Sequence, residues 1–126
     1  MTESLSFVVH KHYATHLHYD LRLEMDGILK SWAVPKEPPI KTGTKRLAIA
    51  VEDHELSYKD FEGIIPEGNY GAGRVEIWDN GKYILHTREK DKIVVDLNGE
   101  RLKGKYALIH TKGDQWLFFK TTEQTK

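Results

Sequence analysis

Histidines cluster near the start of the chain. Four of the seven lie between positions 10 and 18, and the run continues into an alternating segment over 17–24. If that segment is a β-strand, side chains two residues apart share a face, so His18, Asp20 and Arg22 form one polar row. A row that holds an imidazole, a carboxylate and a guanidinium has the groups needed to bind a metal ion beside an oxyanion.

His12 can join this row from the preceding strand. A turn at residues 14–16 would fold His12 back beside His18. Two neutral imidazoles and one carboxylate form a facial ligand set with open positions, which suits Mn²⁺, Fe²⁺ or Zn²⁺. Arg22, one strand step beyond Asp20, would reach an oxyanion at those positions, because its planar fork matches phosphate oxygens. The set therefore indicates metal-dependent phosphoryl chemistry.

The same row has a plainer interpretation. A solvent-facing strand can carry His18, Asp20 and Arg22 as charges that pair across a sheet, and a bare His-x-Asp-x-Arg pattern fits this interpretation better. The neighbouring His12 favours the metal interpretation without deciding between the two. The remaining histidines are interpreted as surface or internally hydrogen-bonded side chains. They stand at positions 10, 16, 86 and 110.

A second candidate group follows a predicted strand at 47–51. His54 lies at the end of this strand, where the chain continues from Val51 through residues 52 and 53, and Tyr58 comes four residues later in the next loop or turn. Both side chains could donate to phosphate oxygens, and His54 could act as a general acid. A strand end with a packed tyrosine fits the same spacing equally well. The glycine-rich run 68–73 could hold a phosphate, although a wide hairpin turn is its default interpretation.

The elements that would position these side chains are mostly strands. The apolar pattern alternates with period two, and Gly-containing turns punctuate it at 26–27, 79–81, 98–99 and 112–114. Loops are predicted at 35–45 and 63–73, and no segment has a long helical period. The sequence therefore predicts an all-β, mainly antiparallel barrel or sandwich with hairpins and little helix, in a single domain over 1–126.

Composition narrows the possible partners. The chain has 19 basic and 19 acidic residues, a balance that argues against clamping of long duplex DNA by charge alone. One basic stretch, Lys36, Lys41, Lys45 and Arg46, is either a solvated loop or a backbone-contacting patch. Cysteine is absent, which excludes disulfides and thiolate sites. We find no membrane span and no secretory signal, and expect a cytoplasmic protein.

The order of the motifs is more specific than any one of them. The chain carries, in sequence, HKHYATHLHYDLRLEMDGILKSWAVPK, RLAIAVEDHELSYKDFEGIIPEGNYGAG and VEIWDNG. Over nearly its whole length it resembles the 3′-phosphoesterase module of bacterial DNA ligase D and the free-standing archaeal and bacterial relatives of that module. The resemblance implies a compact β-barrel that binds Mn²⁺, with other divalent transition metals as substitutes.

The resemblance also implies a reaction and its residues. Such enzymes act in DNA repair on 3′ ends of DNA or RNA primers, where they remove a terminal ribonucleoside as phosphodiesterases and then release the 3′-phosphate. Carried over by position, the metal ligands are His12, His18 and Asp20. The phosphate-binding and catalytic residues become Arg22, His54 and Tyr58.

Two departures from the family bear on activity. His10 stands where glutamine is usual, so it could add a polar contact near the metal. Ligase-linked members carry an upstream arm with functional acidic and arginine residues. We see no counterpart of this arm ahead of the matching runs, and we therefore expect the monoesterase step to be the weaker one.

Partners and alternatives follow from the same resemblance. The expected partner is the 3′ end of a primer-template, with a DNA ligase, a polymerase or an end-binding protein as candidate protein partners. One alternative is a metal-dependent phosphoesterase on small phosphate esters. The other is a non-catalytic module that binds nucleic-acid ends. The complete six-residue set favours an enzyme, because a pure binder does not need a metal.

Overall fold

The computed structural model describes residues 5–69 and 71–121 of the chain. Within them the chain forms nine strands and one 3₁₀ helix. In chain order the elements are β1 (Leu5–Tyr13), β2 (Leu17–Met25), β3 (Ile28–Val34), β4 (Lys45–Glu55), the 3₁₀ helix (Leu56–Asp60), β5 (Gly63–Ile65), β6 (Gly73–Glu89), β7 (Lys92–Asn98), β8 (Lys103–Lys112) and β9 (Gln115–Lys120).

Eight of these strands close into a barrel. The order around the ring is β1-β2-β3-β4-β9-β8-β7-β6, and β6 pairs back with β1, every pair being antiparallel. The short β5 pairs with β6 outside this ring. Closure leaves no unpaired edge in the ring. The predicted mainly antiparallel β-barrel with little helix is confirmed.

The leucine face of β2 forms part of the barrel core, as its alternation predicts. Leu21 and Leu23 are completely buried, and Tyr19 is 6% exposed. Each such side chain stabilises the fold by roughly 1.5–3 kcal/mol relative to an exposed position. Leu17 departs from the pattern and is exposed, because it stands at the very start of the strand. The opposite face of β2 is thereby free for polar side chains.

The predicted turn between β2 and β3 is also confirmed. Asp26 and Gly27 have positive φ angles of 56° and 81°, the conformation that a two-residue hairpin turn requires at both central positions. Arg88 of β6 donates two hydrogen bonds to the Asp26 carboxylate, at 3.0 and 2.7 Å. This turn fixes the register in which β2 and β3 present their side chains.

The turn predicted at residues 79–81 was wrong. β6 runs without interruption through this segment, and Asp79 and Gly81 serve other purposes. The buried Asp79 carboxylate accepts hydrogen bonds from the backbone N–H groups of residue 80 and residues 100–102, at 2.8–3.1 Å. A Cβ at Gly81 would lie 2.2 Å from the carbonyl oxygen of Asn98, so glycine is needed for close approach of two strands.

The loop predicted at 63–73 contains the short strand β5, whereas residues 35–44 lie outside the strands as expected. Across the described residues, none of the helical structure is long and apolar enough to cross a membrane.

Candidate active site

Three of the predicted site residues come together at one end of the β1–β2 pair. His12 and His18 are directly opposed in the two strands, and Asp20 lies two residues further along β2. One ligand atom from each of the three side chains lies within 4.8 Å of the others. Their proximity was expected from the turn at 14–16, and the register of β1 against β2 produces it.

Hydrogen bonds to backbone carbonyls fix how both imidazoles face Asp20. Nε2 of His12 donates to the Gly71 carbonyl at 2.8 Å, and Nδ1 of His18 donates to the His16 carbonyl at 3.0 Å. In a neutral imidazole the other ring nitrogen then has no proton and carries a lone pair. These nitrogens lie 3.6 and 3.3 Å from Oδ2 of Asp20. A lone pair facing a carboxylate is stabilised only by a proton or a cation between them.

The charge of Asp20 is well stabilised despite its burial. Burial by itself disfavours the carboxylate, but His12 and His18, which donate hydrogen bonds to Asp20 when their rings are protonated, and the Arg22 cation outweigh burial and lower the pKa of Asp20 far below its usual range. The same hydrogen bond to Asp20, opposed by burial, raises the pKa of His18. The group is therefore an anionic site with two nitrogen donors, and this donor set fits a divalent transition metal.

Burial argues against the interpretation of this row as a solvent-facing strand. Asp20 is 5% exposed and Arg22 is 4% exposed. A buried guanidinium is stable only when it is paired and hydrogen-bonded. Arg22 meets that need with an Nη2 contact to Asp20 at 3.4 Å and an Nη1 hydrogen bond to the Ser31 hydroxyl at 2.9 Å.

The polar face of β2 is buried because a segment of chain crosses it. This covering segment, residues 56–72 without Tyr70, leaves the barrel after β4 and returns at β6. It brings the Tyr58 ring over the guanidinium of Arg22, 5.0 Å from carbon to ring centroid, and the Gly71 carbonyl to His12. In the glycine-rich run 68–73, Gly71 therefore contributes a backbone carbonyl to the site, as the hydrogen-bond acceptor of His12.

An irregularity in β4 brings His54 to the same side of the sheet. Ser31 of β3 pairs with Val51, but Leu29, two residues earlier in β3, pairs with His54 and not with Asp53. One extra residue in β4 is therefore opposite Lys30, a β-bulge of the kind that redirects side chains near active sites. Without it, Asp53 would occupy the position of His54.

His54 and Tyr58 form part of a column of stacked rings. Their centroids lie 4.5 Å apart with an angle of 18° between the planes. Burial and the Arg22 cation lower the pKa of His54, so its imidazole is neutral at neutral pH. Burial raises the pKa of Tyr58, so its hydroxyl stays protonated. Both groups can therefore donate hydrogen bonds.

All six predicted site residues line one cavity of about 340 Å³. They are His12, His18, Asp20, Arg22, His54 and Tyr58. The basic stretch at 36–46 does not line it. There, Arg46 donates to the backbone carbonyl of Glu37, and Lys45 lies over the ring of Phe119.

A larger cavity, of about 550 Å³, lies elsewhere on the barrel and is a poorer candidate. Two tryptophans, Trp32 and Trp116, form part of its wall. Its Lys30 pairs with Asp53 at 3.6 Å, and its Arg88 pairs with Asp26. Ion pairs of this kind leave less charge for a ligand than the convergent groups around Asp20.

Sequence reasoning missed how deeply His10, Ser31 and Phe61 are built into the site. His10 is completely buried, and burial together with the Arg22 cation lowers its pKa to about 4. Its Nδ1 accepts a 3.0 Å hydrogen bond from Nε of Arg22. Of the three, only His10 was predicted to add a polar contact near the metal, and no pattern in the sequence distinguished Ser31 or Phe61.

Comparisons with known proteins point to one family. Residues 10–110 match the family model described as the DNA ligase D 3′-phosphoesterase domain. The chain is 50% identical over 123 residues to the multifunctional non-homologous end joining DNA repair protein LigD of Mycobacterium tuberculosis, covering 94% of this chain and 16% of that protein. It is 48% identical over 131 residues to the multifunctional non-homologous end joining protein LigD of Pseudomonas aeruginosa, covering 97% and 16%.

A similar protein from Mycolicibacterium smegmatis is 47% identical over 129 residues, covering 94% of this chain and 17% of the relative. The chain thus spans about one sixth of the length of these relatives.

Proposed function

The chain belongs to the DNA ligase D 3′-phosphoesterase domain family, and from that membership we propose that it is a metal-dependent phosphoesterase that heals 3′ ends in DNA repair. In this proposal it removes a 3′-terminal ribonucleoside from a DNA or RNA primer end and then the remaining 3′-phosphate. The observation that supports it most directly is the pair of imidazole lone pairs facing Asp20, beside a buried arginine in a shared cavity.

His12, His18 and Asp20 would hold the metal, with Mn²⁺ as the proposed ion and other divalent transition metals as substitutes. When bound, such an ion polarises phosphate oxygens and lowers the pKa of coordinated water. The backbone carbonyls of Gly71 and His16 orient the two imidazoles, which is the role that outer partners play around metal-binding histidines. The ligand set is therefore held in place by the fold itself.

Arg22 would bind the phosphate. A guanidinium carries five N–H groups, and contacts to His10, Ser31 and Asp20 engage three of them among the described residues. The other two can contact phosphate oxygens. Since the side chain is almost fully buried, its charge acts on the phosphate through little intervening water.

His54 and Tyr58 would complete the phosphate-binding set. A neutral imidazole and a protonated phenol are hydrogen-bond donors, and both line the cavity with Arg22. Donors placed where negative charge develops stabilise a transition state without reorganisation. A general-acid step at His54 would require its protonation, which the negative charge of a bound phosphate ester favours by opposing the effect of Arg22.

The relatives suggest where this chemistry is used. Their printed names describe multifunctional proteins of non-homologous end joining, and this chain matches one sixth of their length. We propose that the chain prepares 3′ ends for joining, together with ligase and polymerase activities and with an end-binding protein. The small-ester and end-binding alternatives make different predictions for one experiment.

That experiment uses a 5′-labelled primer-template with one 3′-terminal ribonucleotide, incubated with the protein and Mn²⁺ or with a chelator. The proposal predicts loss of the terminal ribonucleoside, then of the 3′-phosphate, in Mn²⁺ alone. Binding of the end without any product would support the end-binding alternative. Hydrolysis of a small phosphate ester with no attack on the primer would support the other alternative.

A further inference from the structure

Phe61 stacks on Tyr58 and accepts a hydrogen bond from His10, the residue that binds Arg22, although Phe61 does not line the cavity. We propose that Phe61 is a positioning residue, whose ring holds Tyr58 and His54 and whose carbonyl holds Arg22 through His10. The inference rests on the proposed function for its meaning in catalysis. Its physical content, the placement of four side chains by one residue, can be tested separately.

The ring of Phe61 supports the aromatic column from one side. Phe61 stacks on Tyr58 with centroids 5.0 Å apart and an interplanar angle of 9°, and Tyr58 stacks on His54. Nearly parallel planes restrict the tilt of the middle ring. The guanidinium of Arg22 lies over that same ring. Loss of the Phe61 ring would therefore free Tyr58 to tilt and would disturb its contacts with His54 and Arg22.

The carbonyl of Phe61 acts on Arg22 through a buried histidine. Nε2 of His10 donates to this carbonyl at 3.0 Å, so the proton of the neutral ring is on Nε2. Nδ1 then has no proton, and its lone pair accepts the hydrogen bond from Nε of Arg22 at 3.0 Å. With the opposite tautomer, two N–H groups would face each other in a fully buried place. The Phe61 carbonyl thus selects the form of His10 that can hold Arg22.

The backbone around Phe61 is itself fixed at two points. Its N–H donates to the Tyr58 carbonyl at 3.0 Å, which closes the turn that ends the 3₁₀ helix. The next residue, Glu62, accepts a 2.8 Å hydrogen bond from the backbone N–H of Ile77 in β6. These contacts tie the residue to the barrel, so its ring and its carbonyl have defined directions.

The test uses variants that separate the effect of the Phe61 ring on Tyr58 from the effect of the Phe61 carbonyl on Arg22. Phe61→Leu removes the stacking plane and keeps the carbonyl. His10→Leu removes the link to Arg22, whereas His10→Gln keeps one donor and one acceptor on a side chain of similar reach. Phe119→Leu is the matched control, because Phe119 is a half-buried ring on β9 that does not line the site cavity. Circular dichroism establishes that each variant is folded.

The first readout is steady-state kinetics on the ribonucleotide-ended primer at saturating Mn²⁺. Misplacement of catalytic groups by about 1 Å can cost on the order of 100-fold in rate, so we expect kcat to fall about 10-fold or more in Phe61→Leu and His10→Leu, with a smaller change in KM. His10→Gln and Phe119→Leu should stay within roughly threefold of the parent protein. Unchanged kcat in both Phe61→Leu and His10→Leu would overturn the inference.

The second readout does not depend on activity. Nitrogen-15 NMR should show His10 protonated on Nε2 in the parent protein. The Nε–H of Arg22 should exchange slowly in the parent and in His10→Gln, and this protection should be lost in His10→Leu. Equal protection in all three proteins would overturn the role of His10. If the parent protein fails to cleave any primer, the proposed function is wrong, and the NMR result still decides the positioning inference. If Phe61→Leu does not fold, the His10 pair decides it.

Discussion

The rings of His12 and His18 meet edge to face, with centroids 4.8 Å apart, on directly opposed positions of β1 and β2. In each ring one nitrogen donates a hydrogen bond to a backbone carbonyl, and the other nitrogen faces Asp20. A cation bound between the two ring nitrogens and the Asp20 carboxylate would stabilise this arrangement. The first prediction follows from it.

Replacement of His12 or His18 with alanine should abolish Mn²⁺ binding at micromolar metal and should leave the barrel folded. Loss of a ligand should exceed the roughly 10- to 100-fold effect of losing an outer partner. Calorimetric titration with Mn²⁺, alongside circular dichroism, measures both outcomes. A chelator should likewise abolish activity, and added Mn²⁺ should restore it. Full activity in excess chelator would contradict the metal assignment.

Asp20→Ala should behave differently from the two histidine variants. It removes a proposed ligand and also leaves the buried Arg22 without its carboxylate partner. Breaking a buried pair from one side costs about 3–5 kcal/mol. Urea unfolding should therefore show a large loss of stability for Asp20→Ala and a smaller one for His18→Ala. Equal stabilities would mean that Asp20 does little to stabilise the buried guanidinium.

Arg22→Lys should be nearly as damaging as Arg22→Ala. A lysine ammonium keeps the charge but lacks the planar fork that reaches His10, Ser31 and the phosphate together. We expect kcat/KM to fall by about 100-fold in both variants, the scale seen when a donor to developing charge is removed. Near-normal kinetics for the lysine variant would show that Arg22 contributes only its charge.

His54→Ala and Asp53→Ala form a pair that tests the bulge in β4. His54 faces the site cavity, whereas Asp53 faces the other cavity and forms an exposed ion pair with Lys30. We expect His54→Ala to lower kcat more than it raises KM. Asp53→Ala should change neither, and should alter stability little, because exposed ion pairs contribute less than about 1 kcal/mol. A kinetic defect in Asp53→Ala would contradict this placement.

The His110 imidazole should make stability depend on pH. Nε2 lies 2.7 Å from the Gly113 carbonyl and Nδ1 lies 2.8 Å from the Asp91 carboxylate, so both nitrogens face acceptors. The bond to Gly113 and the contact with Asp91 raise the pKa of His110 above its ordinary 6.5. Its contribution to stability is complete below about pH 6.5 and is lost as pH rises through the raised pKa.

Urea unfolding of the parent and His110→Gln, at several pH values on either side of that range, checks this prediction. The stability difference between the two proteins should be larger at acid pH. A difference that does not change with pH, or an NMR titration of His110 with an ordinary pKa, would contradict it.

The elements that depend on local patterns could be predicted from the sequence. The turn at residues 26–27 needs two positive φ angles, and the alternation in β2 assigns Leu21 to the core and Asp20 to the other face. Both are properties of a few consecutive residues. The polar row and its neighbour His12 could be identified for the same reason.

Features that depend on distant partners could not be predicted in this way. The segment at residues 79–81 has turn composition, but Asp79 binds a loop more than twenty residues away and Gly81 makes room for Asn98. The β-bulge before His54 and the stacking of Phe61 on Tyr58 are likewise set by tertiary contacts. Periodicity carries no information about such contacts.

The site residues come from two parts of the molecule, because the covering segment lies outside the ring of strands between β4 and β6. His12, His18, Asp20 and Arg22 come from strands that the barrel needs for closure, whereas Tyr58 and Phe61 come from outside the ring. Substitutions in the first group are constrained by folding as well as by chemistry. Because the covering segment supplies no strand to the eight-stranded ring, we expect changes in its sequence to reshape the site cavity while the ring stays closed.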